Sequence, residues 1–192
     1  MADVIDQIGG AANVLLEMPS MGGSRDLCTS LLTVGVDQPS VLFVSYVRQA
    51  DACVDQVEAS GVDTPQVGVL TVGESAAATD RDDIVTENVS SASDLTGLGI
   101  QIGKFLSEWE GPVVVCFDSI TSMLQYVDFE TAYEFLHAIT GQIKAADARA
   151  HFHIDPAAHD RKVVDGIKTL CDASITVDDG DPTVRTRDLI ER

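Results

Sequence analysis

Val113-Val114-Val115-Cys116-Phe117-Asp118, followed by Ser119-Ile120-Thr121-Ser122, is the stretch on which the reading of this chain turns. Five consecutive apolar residues suit a strand covered on both faces, where side chains need not alternate between core and water. The acid closes the strand at its carboxyl end. Working outward, Gly111-Pro112 separates this strand (113–117) from a preceding segment, 95–109, with apolar residues at helical spacing. Downstream, 129–146 is an amphipathic helix whose Tyr133, Leu136, Ile139 and Ile143 recur at the period expected of a buried face. A strand at 150–154 ends at Pro156, and a helix at 157–170 and a strand at 174–177 follow. The turn Asp178-Asp179-Gly180-Asp181-Pro182 leads to a returning antiparallel edge strand at 183–188. Upstream, strands are expected at 13–18, 41–46 and 67–72, and helices at 25–34 and 50–60, the latter stopped by Gly61. Residues 71–93 read as a loop with a short strand at 84–86.

Strands alternating with helices predict an α/β fold with a mainly parallel sheet covered by helices on both faces. At 192 residues and 45% apolar content, one domain over 1–192 is expected. Ligands of such sheets bind beyond the carboxyl ends of the strands, so the residues after each strand are the ones to question.

Charge excludes more than it identifies. Asp and Glu total 31 against 12 Lys and Arg, a net charge of −19. Such a surface repels nucleic-acid phosphates and anionic lipid, so neither nucleic acid nor membrane is an expected partner. The acids are spread along the chain, which matches adaptation to a salty cytoplasm, where screening shortens repulsion to about 3 Å at 1 M salt. Residues 1–12 lack the basic start and apolar core of a signal peptide, and a cytoplasmic location is expected. Cys28, Cys53, Cys116 and Cys171 form no C-x-x-C pair. Each lies in an apolar run and reads as a small buried hydrophobe.

The turn after the first strand, Pro19-Ser20-Met21-Gly22-Gly23-Ser24-Arg25-Asp26, has the strand, glycine turn and helix context of a P-loop. Its chemistry departs from that motif. With Gly23 as the second glycine of G-x-x-x-x-G-K-[ST], Met18 replaces the first, Ser24 stands at the lysine and Arg25 at the magnesium-binding hydroxyl. A hydroxyl cannot neutralise phosphates and a guanidinium cannot coordinate Mg²⁺. Asp26 in the first helical turn adds a charge of the wrong sign. A plain strand-to-helix turn capped by Ser24 is the competing reading.

Residues 113–177 resemble the RecA superfamily, and within it the KaiC-like ATPases of haloarchaeal type. The resemblance rests on Val113–Asp118 with Ser119-Ile120-Thr121-Ser122-Met123-Leu124, on Phe135-Leu136-His137-Ala138-Ile139-Thr140-Gly141, and on residues 151–155 with Pro156. It extends to 13–46 at the other end of the chain. It implies a three-layer RecA-like P-loop fold in which Asp118 would hold Mg²⁺ and Gly22, Gly23, Ser24 and Arg25 would form a vestigial nucleotide site. In KaiC-like enzymes the second strand runs into acids that activate water, whereas here Tyr46-Val47-Arg48-Gln49 follow. The resemblance therefore implies a degenerate domain with no catalytic residues and no cofactor, acting in regulation or signalling through a protein partner or self-association. The alternative is a divergent ATPase or nucleotide-dependent switch using ATP and Mg²⁺.

Two further groups stand out. His151 and His153 share one face of a strand, with Asp155 and His159 nearby. Imidazole suits zinc, yet no cysteine stands at matching spacing, so ordinary hydrogen bonds and no metal site are expected. Asp155 and His159 lie where the resemblance would place a γ-phosphate sensor, and they are the polar pair to test. Trp109, Met123 and Tyr126 read equally as an interface or as packing at the rim of the core.

Overall fold

In the computed structural model, which describes residues 2–20, 25–33, 36–73, 81, 84–177 and 182–187, eight strands form a single sheet. Along the chain the elements are α1 (Ala2–Ile8), β1 (Asn13–Glu17), α2 (Arg25–Leu31), β2 (Ser40–Ser45), α3 (Ala50–Ser60), β3 (Val67–Val72), β4 (Ile84–Val89) and α4 (Leu95–Glu108). There follow β5 (Val113–Asp118), a single helical turn α5 (Ile120–Met123), α6 (Phe129–Ala145), β6 (Arg149–Ile154), a 3₁₀ turn (Pro156–Ala158), α7 (Arg161–Lys168), β7 (Ala173–Thr176) and β8 (Thr183–Thr186). The strand order is β4-β3-β2-β5-β6-β1-β7-β8, parallel throughout except for the β7–β8 pair. The expected mostly parallel α/β sheet with a C-terminal antiparallel edge is what forms.

Three helix boundaries have a clear local cause. Asp94 and Asp128 accept backbone N–H groups of Gly97 and Thr131 and so cap α4 and α6. Gly61 ends α3 in the left-handed conformation, φ 67°.

Two faces of the sheet are packed differently. On one, Leu15, Leu42, Val44, Leu70, Val115, Phe117 and Phe152 meet α4, α5, α6 and α7 in one continuous apolar cluster. Phe117 and Phe152 are fully buried and their rings stand 5.7 Å apart. Burying each ring contributes about 1.5–3 kcal/mol. On the other face the apolar contacts divide. One cluster gathers α1, β1 and α2 around Leu16, Leu27 and Ile175. The second gathers α2 and α3 around Phe43, Val54 and Val114. The strand between them, β6, presents His151 and His153 to this face.

The amphipathic reading of α6 holds for Leu136, Ile139 and Ile143, which are buried; Tyr133 instead reaches the rim, its hydroxyl 3.3 Å from Thr169 Oγ1. Trp109 packs edge-on against Phe105 and lies over β3 at Gly68, where an added Cβ would stand 2.7 Å from the indole. Rim packing is thus its role. Met123 is fully buried, and Tyr126 is exposed and stacks on Tyr46.

α1 and the single turn α5 had not been anticipated, and two further elements differ from expectation. β4 runs over six residues rather than three and pairs parallel with β3. It is an edge strand of sequence Ile-Val-Thr-Glu-Asn-Val with only Val89 buried, so its polarity hid it. The helix expected at 157–170 is split into the 3₁₀ turn and α7. Among the described residues no helix is long and apolar enough to cross a membrane.

Candidate functional site

The carboxyl ends of β1, β2, β5 and β6 converge on a cavity of about 360 Å³ bordered by Pro19, Ser20, Val47, Arg48, Asp118 and Asp155. This is where a parallel sheet places a ligand site. Of the residues expected there, Gly22, Gly23 and Ser24 lie outside the described residues, and Arg25 opens α2.

Asp118 ends β5 as expected, and one of its carboxylate oxygens is engaged by a cation of the protein itself. Arg48, which follows β2, sets its Nε 2.8 Å from Asp118 Oδ2. The guanidinium is fixed at other points as well: Nη1 donates to Gln56 Oε1 at 2.5 Å, and the group lies 5.7 Å from the Phe43 ring centroid. Arg48 sits where the resemblance calls for a carboxylate, so the local charge is the reverse of that expected. Burial disfavours the cation, but Cys116 and Asp118 beside it outweigh that and raise its pKa.

Asp155 and His159 do come together, through a third residue. Thr121 on α5 has its Oγ1 2.8 Å from the Asp155 N–H, which donates to it, and 3.1 Å from His159 Nε2. The Asp155 carboxylate accepts from the backbone N–H of Ser20 at 2.9 Å and of Ala157 at 3.0 Å. The Ser20 bond holds its pKa below the ordinary carboxylate value. Burial lowers the pKa of His159, against the opposing pull of Asp155. The pair ties the end of β6 to the segment after β1.

Directly beneath Arg48 lies a constellation that sequence spacing did not disclose. Cys28 of α2, Cys116 of β5, and His151 and His153 of β6 bring their ligand atoms within 4.8 Å of one another. Cys28 Sγ lies 3.7 Å from Cys116 Sγ and 3.2 Å from His151 Nε2, while Cys116 Sγ lies 3.6 Å from His153 Nε2. The expectation that the two histidines lack matching cysteines is thereby corrected. The partners come from three elements up to 125 residues apart, and register explains the juxtaposition: Cys116 pairs laterally with His151. Hydrogen bonding from Cys116, with His151 and His153 close by, draws the Cys28 pKa well below the ordinary thiol value. Burial disfavours charge on His153, yet the neighbouring Cys28 raises its pKa.

Glu17 was also missed. Buried at the end of β1, it pairs with Lys168 at 2.8 Å and accepts from Thr176 Oγ1 at 3.1 Å. A carboxylate at the end of a strand whose middle is apolar was the available signal.

No curated protein matches this chain. A solved structure from a structural study of Pyrococcus horikoshii OT3 resembles it with a TM-score of 0.64 at 12% identity, covering 94% of this chain and 88% of the other. At that identity the likeness concerns the fold alone. A family model matches residues 11–177, from just before β1 to just after β7, and the chain belongs to that family, the family of unknown function DUF7504.

Proposed function

We propose that this chain is a RecA/KaiC-like domain that has lost ATP turnover and acts as a non-catalytic regulatory or signalling protein through contacts with other proteins. The observation that carries this reading is the Arg48–Asp118 pair. Phosphoryl transfer in P-loop enzymes depends on Mg²⁺ held near an acid at this strand end, and on a group that orients the attacking water. Here the acid already has a cation supplied by the protein. The same arginine stands where the water-activating carboxylate would be. Ser24 and Arg25 cannot replace the phosphate-binding lysine and the magnesium-binding hydroxyl.

A partner surface of suitable chemistry supports the protein-contact part of the reading. α4 and α6 border an apolar groove of about 830 Å³ beside Ile100, which is 67% exposed. Aliphatic residues in such a groove suit contact with a protein surface better than with a phosphate.

Calorimetric titration of the full chain with Mg-ATP tests the proposal. The expected result is no micromolar binding, both for the parent and for Asp118→Asn. Micromolar Mg-ATP binding that Asp118→Asn abolishes would establish the nucleotide-switch alternative instead.

A further inference from the structure

We infer that Cys28, Cys116, His151 and His153 form a closed tetrahedral site for a zinc-class divalent cation, which clamps α2 onto β5 and β6. The geometry is that of an S₂N₂ ligand set. With Zn–S of about 2.3 Å and Zn–N of about 2.0 Å, ligand atoms around a tetrahedral zinc stand about 3.3–3.8 Å apart. The contacts of 3.2, 3.6 and 3.7 Å between these side chains fall close to that range. Two thiolates and two imidazoles select zinc over magnesium or calcium, which take oxygen ligands.

Burial and charge point the same way. Cys28, Cys116 and His151 are buried, at 3, 0 and 2% exposure, and His153 is partly so. Two thiolates around a dication leave the site neutral, and the two thiol protons are released to solvent on binding. All four positions of the cation are filled by protein, so the site is structural or regulatory and not a Lewis-acid centre.

The surrounding polar groups are those of an outer shell. Gln56 Nε2 lies 3.4 Å from Cys28 Sγ, and Arg48 Nη2 lies 3.9 Å from Cys116 Sγ. Donors aimed at ligating sulfur tune and orient it. The other two cysteines have no such setting. Cys53 and Cys171 lie outside the group of four whose ligand atoms converge, and burial pushes their thiols up to about 11 and about 12.

The test is metal analysis and Co²⁺ substitution of the reduced, full-length chain. The expected result is one zinc per chain, replaceable by one Co²⁺ with tetrahedral ligand-field bands and thiolate-to-cobalt charge transfer. Cys28→Ser is expected to remove the site, and His153→Asn, altering the most exposed ligand, to weaken it. Cys53→Ser is expected to keep full stoichiometry. Gln56→Ala should lower the affinity about 10- to 100-fold while leaving the ligand set intact. Circular dichroism separates lost binding from lost folding. The inference is overturned if folded, reduced parent protein takes up neither ion, or if the cobalt spectrum persists unchanged in Cys28→Ser. Recovery of a Cys28–Cys116 disulfide from a chain that takes up no metal after reduction would overturn it equally.

Discussion

The two faces of the sheet solve the same burial problem by different means. Toward α4, α5, α6 and α7, the strands offer one continuous cluster of interlocking rings and aliphatic chains, bordered at β1 by the buried Asn13 and Glu17, which bond to α6 and α7. Toward α1, α2 and α3, the apolar contacts separate into two groups, and thiols and imidazoles fill the space at β5 and β6. The first face is stabilised mainly by dispersion and the removal of apolar area, with the Glu17–Lys168 pair at its β1 edge. The second carries groups whose energy depends on protonation, oxidation state or a bound cation. The Cys–His chemistry is thus placed on the second side.

The sharpest way to break this contrast is Phe117→Ala. Truncating a fully buried ring on the continuous face is expected to cost about 3–5 kcal/mol in urea unfolding. The cost should be the same with and without a metal chelator. A cost that shrinks under chelation would mean the two faces are not separable.

Chelation of the parent protein comes next. With free zinc held at about 100 times its dissociation constant, the clamp inferred above should contribute about 2.7 kcal/mol. Removing the metal should increase hydrogen exchange in α2 far more than in α6. Equal exchange in both helices would count against a local clamp.

Gly68→Ala probes the apolar face more gently. The new methyl would meet Trp109 at 2.7 Å, and over-packing of this kind costs about 1–3 kcal/mol. Thermal unfolding together with Trp109 fluorescence should report a displaced indole and lower stability.

The smallest effect is expected at Asp155, near the strand ends where the faces meet. Its folded pKa is lowered by the Ser20 N–H, so its contribution is present above the unfolded value of about 3.9 and is lost as pH falls through the folded value. Asp155→Asn should be less stable than the parent at neutral pH and converge with it in acid. A constant difference across the titration would remove the carboxylate from the account.

Much of the fold was legible because its signals are local. Val113–Asp118 could be read as doubly buried, and Gly61 and Asp128 mark helix ends by known backbone chemistry. β4 was under-read because an edge strand exposes its side chains, and α1 was missed because seven residues give just under two helical turns of pattern. The site was harder to foresee. Asp118 and Asp155 announce themselves by following strands, but the charge reversal at Arg48 acquires meaning only once β2 lies beside β5. The Cys–His cluster depends on lateral register and on the docking of α2, neither of which any spacing along the chain encodes.

The sheet ends on both sides in strands that are poor templates for another chain. β4 shows Glu87 and Thr86 to its surroundings, and β8 shows Thr183, Arg185 and Thr186. Between them lie strands as apolar as Val-Val-Val-Cys-Phe, a composition prone to cross-β stacking if another backbone could dock in line. Charged, hydroxyl-rich margins deny that docking. The protection is incomplete at β4, where Val85 is also exposed.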